Sequence, residues 1–198
     1  MSLLIESIRL ENGRFHNLRY HEQRMNRALL ALFKNASGID LPALLKTTIL
    51  PDRGCYKCRV VYDDRSADLA FIPYVRNPVE KLRALADDSI IYPHKFRDRS
   101  GLDRLYAMRR ECDDILIIRN GQVTDASYAN IVFRRNECWF TPRTPLLAGT
   151  MREYLIDTGK IQAITIRKED VYTFETFKLI NAMIGFDGPE NDVANIVF

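Results

Sequence analysis

Four places in this sequence carry groups that could do chemistry together. Lys95 comes shortly after the apolar run Ile90, Ile91, Tyr92, and Pro93 ends any strand ladder there, because proline has no N–H to give. Further on, Asp125 follows Asn120-Gly121, a dipeptide of the strongest short hairpin type. An amine at a strand end can condense with a carbonyl. A carboxylate on a neighbouring strand can hold the nitrogen of a heteroaromatic ring protonated. Gly149, Thr150 and Met151 precede a helical pattern, and a helix N-terminus offers unpaired N–H groups and a favourable dipole to a phosphate. Arg24 borders an apolar helical stripe, from which its fork could supply a bidentate counter-charge. Three of the four also have an ordinary reading: a solvated lysine, an N-cap, a surface arginine laid along apolar atoms. No Gly-x-x-x-x-Gly-Lys or Gly-x-Gly-x-x-Gly occurs, so nucleotide phosphate loops do not compete.

The elements that would position these groups follow from periodicity. Residues 2–10 alternate weakly and reach Asn12-Gly13, a turn dipeptide leading into Phe15 and Leu18. Between Tyr20 and Phe33 the period becomes helical, with Met25, Ala28, Leu29, Leu32 and Phe33 on one stripe. A second short helix is expected over residues 41–49. Strands are expected over residues 55–63 and 67–75, joined by Asp63-Asp64-Arg65-Ser66. The polar, proline-containing stretch that starts at Arg76 marks a boundary, giving an N-terminal domain over 1–77, a linker over 78–86 and a larger domain over 87–198 that holds Lys95. That larger domain is expected to open with a strand at 88–92 and a helix of about a dozen residues from Ser100, where Ser100 and Asp103 resemble a capping box. Two hairpins follow. A helix over 151–158 comes next, with Thr150 and Glu153 as its capping box and Gly159 as its stop. Residues 161–166, 177–184 and 193–198 read as strands.

Composition narrows the classes. Across 198 residues, 29 basic and 26 acidic side chains leave a net charge of +3, spread along the chain rather than gathered, so nucleic acid is not an expected partner. No apolar run approaches membrane-spanning length and the start has no leader pattern, so a cytoplasmic protein without a membrane partner is expected. Cys55 and Cys58 form a Cys-x-x-Cys, but Cys112 and Cys138 stand alone and no four-ligand zinc spacing appears. The pair also lies in a strand-like run, whereas a thioredoxin-type motif opens a helix. No metal site is expected.

Taken in order, these pieces resemble the class IV (fold type IV) pyridoxal phosphate enzymes: the branched-chain and D-amino-acid aminotransferases and 4-amino-4-deoxychorismate lyase. Ile5-Glu6-Ser7-Ile8-Arg9 is similar to the family's Phe-Glu-Thr-Ile-Arg, and His21-Glu-Gln-Arg24-Met to its His-x-x-Arg-Leu. Lys95-Phe-Arg-Asp-Arg99 resembles the lysine motif. Gly121-Gln-Val-Thr-Asp125-Ala-Ser-Tyr-Ala-Asn130-Ile resembles Gly-x-Val-Thr-Glu-x-x-x-x-Asn-Leu. Phe140-Thr-Pro-Arg-Thr-Pro and Gly149-Thr-Met-Arg152 look like the Thr-Pro stretch and the phosphate turn.

The resemblance implies an α/β (α+β type) fold like that of D-amino-acid aminotransferase, with two domains holding pyridoxal 5'-phosphate between them, usually in a homodimer, here with a shortened N-terminal domain. It implies that Lys95 is the Schiff-base lysine and proton shuttle. Arg24, Asp125, Asn130, Gly149, Thr150, Met151, Asn181 and Ala182 would then bind the cofactor, and Arg9, Arg59 and Arg99 the substrate. Asp125 stands where the family has glutamate, one methylene longer, and Asn181-Ala182 stands where aminotransferases often offer a hydroxyl. The activity expected is transamination between a small amino acid or amino-carboxylate and a 2-oxo acid. The alternatives are β-elimination releasing pyruvate, as in aminodeoxychorismate lyase, and a cofactor-binding relic without turnover. The lyase reading draws on Arg99, Thr141-Pro142-Arg143, Met151-Arg152 and Asn181-Ala182.

Overall fold

The computed structural model describes residues 3–33 and 38–198, which form two compact units. The first comprises the chain up to Arg76 together with His94–Asp98. The second comprises Asn77–Pro93 and Arg99–Phe198.

The first unit is a four-stranded antiparallel sheet with helices. Strand β1 (Leu4–Glu11) turns through Asn12 and Gly13, both at positive φ, into β2 (Arg14–Phe15). A turn with two left-handed residues matches the twist of the strands it joins, and Asn-Gly is the pair that tolerates it. Helix α1 (Leu18–Leu32) and helix α2 (Leu41–Lys46) follow; the Asp40 carboxylate caps α2 by accepting the Ala43 N–H at 2.8 Å. Strands β3 (Cys55–Tyr62) and β4 (Ala67–Pro73) complete the order β2-β1-β3-β4. Strand alternation sends Leu4, Ile8, Cys58, Val60 and Tyr62 into a core shared with Met25, Ala28, Leu29, Leu41 and Leu45. Of the expected helical stripe, Leu32 is exposed. Cys55 and Cys58 both lie on β3 and are unbridged.

The second unit begins with β5 (Leu82–Ala86) and α3 (Ser100–Ala107). Then come β6 (Asp114–Arg119), β7 (Gln122–Ala126), β8 (Asn130–Arg135) and β9 (Cys138–Pro142). Helix α4 (Thr150–Asp157), β10 (Gln162–Ile164), β11 (Thr176–Ile180), β12 (Asn191–Asp192) and β13 (Ile196–Val197) close it. The sheet runs β10-β9-β8-β7-β6-β5-β13, and β11 pairs with both β8 and β12. Strand β6 is the near-continuous apolar run of a central strand, flanked by β5 in parallel and β7 antiparallel. Leu116, Ile118, Ile131, Phe133, Phe174 and Phe177 anchor the core.

Several expectations are corrected here. The stretch 78–86 is no simple linker, because it contributes β5, whose parallel pairing with β6 and β13 overrides a helix-favouring composition. Residues 88–92 form no strand; the Asp87 carboxylate accepts from the Ser89 N–H at 2.9 Å and turns the chain instead. Lys95 keeps company with the first unit, since its carbonyl accepts the Ile5 N–H at 2.9 Å and Phe96 bridges to Leu4. Helix α3 is eight residues long and its N-cap is Arg99, while the N-cap of α4 is Gly149, so Ser100 and Thr150 are first helical residues rather than the expected caps. Residues 193–195 make a 3-10 turn before β13.

The β6–β7 hairpin, which carries Asp125, turns on Gly121 at φ +72° with open space around a built Cβ. Gly121→Ala therefore tests backbone strain alone and should cost about 1 kcal/mol. An unshifted urea midpoint would contradict that origin.

Candidate active site

The first unit gathers Lys95 and a buried ion network. On β1, Glu6 occupies the helix-facing row of Leu4, Ile8 and Leu10, and it has no exposed surface. Its Oε1 accepts Arg24 Nε at 2.9 Å and its Oε2 accepts Arg24 Nη2 at 2.5 Å, a side-on bidentate pair. His21 Nδ1 lies 2.7 Å from the same Oε2. His21 and Arg24 are one turn apart on α1, so both reach the one carboxylate. Burial alone would raise the Glu6 pKa, but Arg24 and His21 together hold it down at about 2. Burial lowers His21, and the charge of Lys95 acts in the same direction, which places the lysine in this neighbourhood. Sequence reasoning singled out Arg24 but missed Glu6 and His21. The available signal was a glutamate set within an apolar i, i+2 row.

Arg9 and Arg59 share the opposite face of the sheet: Arg9 pairs with Lys57 and Ser7 with Arg59, so the two arginines are diagonal neighbours. Arg9 Nη2 already donates to both carboxylate oxygens of Glu11, at 2.8 and 2.9 Å. A substrate carboxylate at Arg9 would have to displace or join that pair.

The second unit gathers the acid and the glycine turn. Asp125 on β7 pairs across to Asn130 on β8. Its Oδ1 accepts Asn130 Nδ2 at 2.6 Å and its Oδ2 accepts the Leu147 N–H at 3.0 Å. Asn130 Nδ2 also donates to the Leu147 carbonyl at 2.9 Å. The Oδ1 of Asn130 stands 2.0 Å from where a Cβ on Gly149 would lie, so that position is glycine because the amide fills the space. Its φ of −74° would suit any residue. Thr150 and Met151, both buried, begin α4 directly after it. Burial pushes the Asp125 carboxyl up to about 6, against the lowering by Leu147, Asn130 and Leu146 and the nearby Arg152 charge. Arg152 is itself buried, donating to the Pro142 carbonyl at 2.8 Å. Neither Leu147 nor the placement of Arg152 had been expected from the sequence, because both are fixed by contacts across loops.

Two expected site residues serve a neighbouring loop. Arg99 donates from Nη2 to the Ser127 carbonyl at 2.8 Å and lays its guanidinium 3.9 Å over the Tyr128 ring. Asn181 donates to the Tyr128 carbonyl at 3.1 Å while its Oδ1 accepts the N–H groups of Met183 and Ile184. These contacts clamp the loop between the strands of Asp125 and Asn130. Ala182 lies in the turn after β11, half-buried. Among the described residues there is no His, Cys, Asp or Glu cluster that could hold a metal ion, and no helix is long and apolar enough to cross a membrane.

A family model described as Amino-transferase class IV matches residues 94–186. A solved structure named "putative 4-amino-4-deoxychorismate lyase", from Haemophilus somnus, is 36% identical over 94% of this chain and 98% of its own, with a TM-score of 0.89. The chain belongs to the class IV aminotransferase family. Its fold is fold type IV. A Haemophilus influenzae protein named only "Uncharacterized protein" is 38% identical over 190 residues, 92% of this chain and 98% of that one. A "putative amino-acid aminotransferase" from Mesorhizobium loti shares the fold over the full length of both chains, at 19% identity and a TM-score of 0.82.

Two outcomes follow from the geometry of the second unit. Gly149→Ala should drive the Asn130 amide from its place and cost about 1–3 kcal/mol, read as a lower denaturation midpoint; an unchanged midpoint would show that the amide can move freely. Asp125 titrates higher when folded than its ordinary 3.8. Its contribution to stability is therefore full below pH about 4 and lost as pH rises through about 6. In ligand-free protein, Asp125→Asn should flatten the melting temperature across that window, and a profile identical to wild type would assign the decline elsewhere.

Proposed function

We propose that this family member is a pyridoxal 5'-phosphate enzyme that acts on an amino-carboxylate by elimination, in the manner of 4-amino-4-deoxychorismate lyase. The donor set suits that cofactor. A buried carboxylate with a raised pKa, fixed on both oxygens by Asn130 and the Leu147 N–H, is matched to a protonated ring nitrogen. The glycine turn and the first N–H groups of α4 are matched to a phosphate. When bound, the cofactor supplies an electrophilic carbonyl and a sink for charge at the substrate α-carbon. Lys95 would hold it covalently, and the Lys95 amine would take the substrate α-proton and pass it to the departing three-carbon group, which leaves as pyruvate. Asp125 keeps the ring nitrogen protonated, with Asn130 setting the direction of its carboxylate. The candidates for the phosphate are Arg24 in the first unit and, in the second, Gly149, Thr150 and Met151, with Asn181 and Ala182. Arg9, Arg59 and Arg99 are the candidates for the substrate carboxylates, and a cytoplasmic homodimer completes the reading.

The observation that carries elimination over amino exchange is the 36% identical relative, spanning nearly the whole of both chains, that bears the lyase name. Transamination, the activity expected from the sequence, is the second reading; the matching family model is described by amino transfer.

One assay separates them. Purified protein given 4-amino-4-deoxychorismate should release pyruvate, whereas an amino donor with a 2-oxo acid should exchange no amino group. Exchange without pyruvate would replace elimination by transamination. Neither product, from protein that still holds its cofactor, would leave only the relic without turnover. Borohydride reduction followed by peptide mapping should place the cofactor on Lys95 and find no adduct in Lys95→Ala; an adduct surviving in that variant would assign another lysine.

A further inference from the structure

The ion network around Glu6 is an expensive way to join a helix to a sheet. A buried ion pair is often no more stabilising than well-packed apolar residues of the same volume, because both charges lose their water. The positions beside Glu6 on its row, Leu4 and Ile8, and Met25 beside Arg24 on α1, are apolar and buried. A leucine at position 6 with a methionine at 24 would have continued that pattern. What the charged version adds is direction. A guanidinium held at Nε and Nη2 by one carboxylate cannot rotate about its long axis, and its other edge, carrying Nη1, points away from Glu6. His21 fixes the carboxylate in turn from its own helix position. Lys95 is tied beside this network, since its carbonyl takes the N–H of Ile5, the residue next to Glu6.

We propose that Glu6 and His21 are positioning residues that aim the Arg24 guanidinium at the cofactor phosphate, so that part of the phosphate affinity depends on two side chains that never touch it. This rests on the reading above, in which Arg24 holds that phosphate. The dependence has a signature that a merely structural role lacks. Loss of folded protein weakens the binding of every ligand alike. Loss of aim weakens only the ligand that carries a phosphate.

The experiment titrates full-length apoprotein with pyridoxal 5'-phosphate and, separately, with pyridoxal, following cofactor absorbance, and takes the ratio of the two affinities. Arg24→Lys should cut that ratio. Glu6→Gln should cut it by about tenfold, the scale of one charge-assisted hydrogen bond, with pyridoxal affinity unchanged. His21→Asn leaves the Glu6–Arg24 pair in place and should cut the ratio less, so it serves if Glu6→Gln fails to fold. A second route removes both charges: with Arg24→Met already present, Glu6→Gln should change the ratio no further. If Arg24→Lys lowers the ratio and neither Glu6→Gln nor His21→Asn does, the positioning role is overturned while the cofactor reading stands. If Arg24→Met leaves the ratio intact, Arg24 does not hold the phosphate and both fall. A further drop from Glu6→Gln in the Arg24→Met background would mean that Glu6 acts by another route and would also overturn the proposal.

Discussion

The first unit depends on a carboxylate that no water reaches. Glu6 sits in the middle of β1 with its side chain under α1, and left unpaired it would cost more than any neighbouring apolar contact contributes. Arg24 and His21 remove that cost, and in doing so they fix how α1 rotates about its axis and where along the sheet it rests. Apolar packing of Met25, Ala28 and Leu29 would tolerate small slides. Two charge-assisted hydrogen bonds and one imidazole contact on a single carboxylate do not. The core supplies the affinity of helix for sheet, and the ions supply its register.

The second unit solves a similar problem without a formal ion pair. Asn130 opens β8, faces Asp125 across the ladder, and reaches Leu147 and the Gly149 turn with the same amide. One side chain therefore couples the direction of an acid to the position of a helix start. The shorter aspartate fits this arrangement: its two oxygens are taken by the Asn130 amide and the Leu147 N–H, so the backbone of the 146–147 turn comes to the carboxylate.

Much of this was legible in the sequence, and what was not has identifiable reasons. The Asn12-Gly13 and Asn120-Gly121 turns and the Gly159 stop could be read because each depends on residues adjacent in sequence, and each adopts positive φ as expected. Strand β5 could not, since Leu-Arg-Ala-Leu-Ala has no strand signature and is extended only because β6 and β13 flank it. Arg24, Lys95 and Asp125 could be singled out from the order of motifs in the chain. Their partners were not: Glu6 finds Arg24 across a helix–sheet contact, and Asp125 finds Leu147 across a loop. Asn181 has contacts that its motif position did not announce. A residue drawn out by its place in a motif spends its amide on the Tyr128 carbonyl and the N–H groups of the turn that follows it.

The way residues His94–Asp98 leave one unit and join the other bears on how the protein could have been assembled. The chain passes from the first unit to the second after Arg76, returns for five residues, and departs again. Neither unit is one continuous piece of polypeptide, so cutting the chain at any single point leaves the first unit without the 94–98 segment bonded to Leu3 and Ile5, or the second without residues 77–93. Recombination that shuffles such units as cassettes would separate the lysine from the strand that holds it. A fragment that ends before His94 therefore lacks the backbone partners of Leu3 and Ile5.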